Sequence, residues 1–147
     1  MNEMNIGKGF LLVLIAGIIS CAIWIGIISF TALGTGGAIG GLIAGGVGAI
    51  IAGVYQKGAG KMNFLGYLII VIVVITVVIG ALTLGTAFYL SNAGGAVSVG
   101  EAIDLIFSNR TLRFAFIQDA LITGGIAVGM SIATTISSGK EKKKQED

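Results

Sequence analysis

The chain has 147 residues, 55% hydrophobic and 11% charged, with a mean hydropathy of +1.00 and a net charge of +2. Soluble domains carry roughly 25% charged residues, and uncharged apolar runs beyond about 18 residues read as membrane spans, so an ordinary soluble domain is excluded. With no His and a single Cys, neither a Ser-His-Asp triad nor the usual zinc and haem ligand sets can be assembled.

Met1 to Lys8 is a short polar lead, and from Gly9 to Leu33 no residue is charged. At roughly 1.5 Å per residue this run exceeds a hydrocarbon core of about 30 Å, which predicts a first span over 9–33. The run is also far longer than the ~7–15 apolar residues of a cleaved signal peptide. Trp24 falls mid-span, away from the interfacial positions Trp usually anchors, and is expected to fill space between helices. Cys21 reads as a small packing residue.

The most distinctive stretch follows: GTGGAIGGLIAGGVGAIIAG, from Gly34 to Gly53. At four-residue spacing it holds two adjacent ladders. One is Gly36, Gly40, Ala44, Gly48 and Ala52; the other is Gly37, Gly41, Gly45, Ala49 and Gly53. Such a strip lets another helix approach until backbones touch, gaining dispersion and Cα–H···O contacts. A second span over 36–55 is predicted, forming an antiparallel hairpin with the first. Its glycine surface should pack on the last helix of this chain or on another chain. Gly58-Ala59-Gly60-Lys61 is expected to be a basic turn, and it lacks the spacing of a phosphate loop.

The β-branched run after Phe64 is too long for a buried strand and predicts a third span over 64–90. Ser98 and Glu101 then form a capping box opening a helix over 98–108. Ala102, Ile103, Ile106 and Phe107 share one side of it, and Glu101, Asp104 and Ser108 the other, as in a helix lying along a membrane surface. Continuing this helix would carry Arg110 and Arg113 to its apolar side. A break near Asn109 is therefore expected, in the left-handed conformation that Asn tolerates.

The last span is placed over 114–138, with Gly125 and Gly129, and Ala127 and Ser131, at four-residue spacing. The charged tail 139–147 is expected to be disordered. Four crossings put Lys8, Lys57, Lys61 and the Lys140–Lys144 cluster on one side. Arg110 and Arg113, balanced by Glu101 and Asp104, fall on the other. The positive-inside rule then places both termini in the cytoplasm, with the plasma membrane as the expected location.

Asp119 is the sharpest candidate for chemistry. Inside the span its carboxylate would be costly and functional; at the start of the helix it would merely complement the macrodipole. Gln118 could help it coordinate an ion, and Thr123, one turn on, could hydrogen-bond it. Arg113, six residues back, lies about 120° around the helix and is not its obvious partner. Glu101 and Asp104 share a face but bring too few oxygens for a cation site. No catalytic, cofactor-binding or metal-ligating set emerges, and an enzyme is not expected.

Four spans with glycine ladders and one membrane carboxylate are similar to the proteolipid subunits of rotary ATPase rings. The ion-carrying carboxylate there lies mid-membrane, which this sequence does not match. Gly41 to Lys61, ending Tyr55-Gln56-Lys57-Gly58-Ala59-Gly60-Lys61, carries a second resemblance. So does Val97 to Gly125, with Glu101-Ala102 and Phe116-Ile117-Gln118-Asp119. These resemble the membrane portion of small Gly-rich Firmicute proteins of unknown function, some bearing a zinc ribbon whose cysteines are absent here. That resemblance spans roughly 34–138 and implies a fold but no activity.

The expectation is thus an all-α membrane protein with four transmembrane helices and a short surface helix between the third and fourth. Its packing residues would be Gly36, Gly37, Gly40, Gly41, Gly45, Gly48, Gly53, Gly125 and Gly129. Its candidate polar residues are Asp119, Gln118, Glu101 and Arg113. The expected role is a helix-packing homo-oligomer or accessory subunit, contacting lipid and further copies or another membrane protein, with no cofactor and no nucleic acid. The alternative is a small pore or transporter component using Asp119.

Overall fold

The structure, a computed structural model, describes residues 5–31, 37–59, 63–94 and 98–146. Backbone in lipid must satisfy its own hydrogen bonds, and helices do so within one segment. Among the described residues all the elements are helical: α1 (Ile6–Thr31), α2 (Gly37–Ala59), α3 (Phe64–Gly94), α4 (Val99–Ser108) and α5 (Arg110–Glu146). Four of them, α1, α2, α3 and α5, are long and apolar enough to cross a membrane. The chain is an all-α, multi-pass membrane protein.

Two hydroxyls within the spans follow the same rule. Ser29 donates to the carbonyl of Ile25 at 2.7 Å, and Thr76 to that of Ile72 at 2.8 Å. Each is satisfied on its own helix.

The largest interfaces join helices that are not neighbours in sequence. α2 packs most extensively on α5, and α1 on α3. Both pairs are parallel. Gly41 faces Ile126, Gly45 faces Met130, and Gln56 Nε2 donates to the carbonyl of Thr135 at 3.3 Å, so the two helices advance together. Gly17 likewise meets Val73 and Val77, and Gly85 meets Ile28. α1 and α2 form the expected antiparallel hairpin, closed where the Asn5 amide donates to the Ala59 carbonyl at 3.0 Å. The core runs between the helices and includes Trp24, Ile28, Ile51, Tyr55 and Val74. Trp24 is fully buried, as its mid-span position predicts. The outer faces are covered by apolar side chains such as Leu42, 77% exposed, and Phe30, 85% exposed, the surface lipid requires.

Several boundaries differ from the sequence reading: α1 begins at Ile6 and α3 runs on to Gly94. α2 continues through Gly58 and Ala59 because Gly58 is needed at a crossing: a Cβ there would stand 2.8 Å from the Gly9 Cα. Gly60 and Lys61 of the expected turn lie outside the described residues, as do Gly34 to Gly36 of the first hairpin connection. α5 begins at Arg110, and it runs to Glu146 where a disordered tail was expected. Lys, Glu and Gln are good helix formers, and cations near a helix C-terminus complement its dipole, so the charged tail extends the helix.

Candidate functional site

Most of the described part of the glycine strip is covered inside the chain. Gly40, Ala44, Gly48 and Ala52, the ladder that begins at Gly36, are all buried. Gly48 is the closest point: a Cβ there would clash with the Ala127 carbonyl oxygen and lie 2.9 Å from its carbon. The second ladder flanks this contact, with Gly41 against Ile126 and Gly45 against Met130, while Gly53 has open space beside it. Gly37 begins α2, and Gly36 lies outside the described residues.

On α5 the face turned to α2 carries Thr123, Ala127, Ser131 and Thr135, all buried and four residues apart. Their hydroxyls return to their own helix, Ser131 to the Val128 carbonyl at 2.7 Å and Thr135 to that of Ser131 at 2.8 Å. Gly125 and Gly129 do not join that interface. Both are exposed, with nothing within 4 Å of where a Cβ would stand. Ala133 and Ser137 continue their stripe and are exposed too.

The junction of α4 and α5 brings Asp119 into a defined setting. Ser98 caps α4 with the capping box complete: the Glu101 amide donates to Ser98 Oγ at 3.2 Å, and the Ser98 amide to Glu101 Oε2 at 3.1 Å. Ala102 and Ile106 of α4 are buried against α3 and α5, and Phe107 meets Phe116 edge-on with ring centroids 5.5 Å apart. The break falls at Asn109, as expected, but by another device. Its backbone is extended at φ −79° and ψ 120°, not left-handed. Its side-chain oxygen accepts from the amides of Thr111 at 3.0 Å and Leu112 at 3.2 Å, so Asn109 is the N-cap of α5.

Because α5 starts at Arg110, Asp119 stands about 14 Å along the helix, inside the candidate span. It borders a cavity of about 130 Å³ between three helices. Leu82 and Thr86 of α3 form one wall, Ile106 of α4 another, and Leu112, Ala115 and Phe116 of α5 complete it. Among the described residues no side chain hydrogen-bonds or ion-pairs with the Asp119 carboxylate. Thr123 does approach Asp119, but its hydroxyl donates to the main-chain carbonyl at 2.6 Å. Gln118 is exposed and not part of the cavity wall; Arg113 is exposed as well. Glu101 is spent on its cap, and Asp104 is exposed. The described residues hold no group of three or more side chains suited to a metal ion.

Thr86 is the member of this site that sequence reasoning missed. It is one of several hydroxyls in α3, and no local spacing ties it to Asp119. Phe116 also lines a larger apolar groove of about 570 Å³ between α3 and α5, bordered by Ile75, Ile79, Leu121 and Gly125. Comparison with protein-family models, curated proteins and solved structures gave no match.

Proposed function

We propose that this four-span protein works by helix packing, as a homo-oligomer or an accessory subunit, and that α5 presents the surface through which it assembles. One observation carries this reading. Gly125, Gly129, Ala133 and Ser137 form an exposed stripe of small residues with no described helix against it, while Gly40, Gly45 and Gly48 of α2 are already buried. Stripes of small residues at four-residue spacing drive association in lipid by close backbone approach. Size-exclusion chromatography with light scattering in mild detergent tests it. The native protein should elute as a multimer, and Gly125→Leu with Gly129→Leu should shift it toward monomer. A native monomer would count against the reading.

A second reading is favoured by Asp119: a small pore or transporter component in which this carboxylate meets the solute. An ionisable side chain within a span is costly and usually marks a solute or proton path. Flux in proteoliposomes should fall with Asp119→Asn. Flux that this substitution leaves unchanged would remove the second reading and leave the first untouched.

A further inference from the structure

The cavity beside Asp119 has a chemical signature that narrows what it can hold. It offers one carboxylate without a protein partner and the Thr86 side chain, on walls otherwise made by Leu82, Ile106, Ala115 and Phe116. Hard metal cations such as Ca²⁺ take 6–8 oxygens and Mg²⁺ near-ideal octahedral coordination, roughly twice what these two side chains supply. Among the described residues the neighbouring helix carbonyls are engaged in their own ladders. A ligand matched to a single carboxylate on otherwise apolar walls brings one positive charge and an apolar body. At about 130 Å³ the space accepts a small substituted ammonium group. Phe116 forms part of this cavity and of the 570 Å³ groove alike. The groove therefore adjoins the cavity at Phe116, where an alkyl chain on that ammonium would meet apolar surface, and aromatic faces attract such cations.

We propose that Asp119 and Thr86 form a membrane-embedded binding site for an organic ammonium ion, with its charged head in the small cavity and its apolar tail in the groove between α3 and α5. The proposal rests on one part of the second reading above, that Asp119 is the functional polar group, and does not require transport.

Equilibrium dialysis of the purified protein in dodecylmaltoside, with tetramethylammonium and hexyltrimethylammonium as probes, tests it. Saturable binding is expected for both probes, several-fold tighter for the hexyl compound, whose tail reaches the groove. Asp119→Asn should weaken it by about tenfold, as loss of a partly buried charge partner does. Thr86→Val should weaken it less, and Asp104→Asn, an exposed change on α4, not at all. Helical content and melting of each variant confirm that it is folded. Absent binding, equal affinity for the two probes, or binding that survives Asp119→Asn would overturn the proposal, as would displacement by Na⁺ at equal concentration. The two readings separate cleanly. Asp119-dependent binding without flux keeps the site and discards transport. Flux that depends on Asp119 without ammonium binding keeps transport and discards this ligand class.

Discussion

Glycine at position 48 is there for what it lacks. Any Cβ would meet the Ala127 backbone, which cannot rotate away as a flexible side chain can. Gly48→Ala should therefore force α2 and α5 apart, costing about 1–3 kcal/mol as overpacked cores do. Gly46 is the control, because it is exposed and nothing lies within 4 Å of its missing side chain. Gly46→Ala should leave stability unchanged or raise it by up to ~1 kcal/mol, the helix preference of Ala over Gly. Thermal unfolding of both variants in the same detergent checks the pair, and equal losses would remove the close-contact account. Residue spacing made half of this legible. Four-residue periodicity exposed the ladders of α2, yet the same periodicity in Gly125 and Gly129 marks a face that no described helix covers. Small residues state what a surface permits; they do not name the helix that takes it. Asp119 is similar: its carboxylate was visible in the sequence, but Thr86 joins it only through the packing of α3 on α5.

Local signals were read well where the chemistry is local. The Ser98/Glu101 capping box needs only three residues of spacing, and both of its hydrogen bonds form. Asn109 was identified as a break but given the wrong backbone state. A residue between two helices can end the first with a left-handed turn or begin the second with its side chain, and only the direction of the next helix decides. Here α5 starts at once, so the side chain caps it. Asn109→Ala should cost about 0.5–2 kcal/mol, while Asn109→Asp, which keeps an acceptor, should cost less. Amide hydrogen exchange provides the check, with faster exchange expected at Thr111 and Leu112 in the Ala variant alone. Unaltered exchange there would mean that the cap contributes nothing. The same junction sets the depth of Asp119. A helix that begins at Arg110 places it inside the span, whereas one that begins at Ala120 would have left it at the edge.

The arrangement of the four spans determines where the charges lie. Asn5 bonded to Ala59, Gly9 against Gly58, and Gln56 bonded to Thr135 bring the start of α1 and the ends of α2 and α5 to one end of the bundle. Exposed Lys8 and Lys57 lie there, and exposed Lys140 and Lys144 continue from it along α5. Glu101, Asp104, Arg110 and Arg113 occupy the opposite end, also exposed, with their charges in balance. Composition and run length were enough to predict the number of spans, because a hydrocarbon core of fixed thickness demands a fixed length of apolar helix. Alternating crossings also make α1 parallel to α3 and α2 parallel to α5, and the glycine ladders offered α5 as one partner of α2; that these pairs form the largest interfaces depends on side-chain shapes meeting across long separations. Orientation is the remaining property, and the lysine asymmetry predicts it: the end with Lys8 and Lys140 should face the cytoplasm. On a Cys21→Ser background, a membrane-impermeant maleimide applied to intact cells should label Asp104→Cys and spare Lys140→Cys until the cells are permeabilised. The reverse pattern would invert the orientation. Labelling of both from outside would break the even number of crossings, and with it the shared end on which α1, α2 and α5 meet.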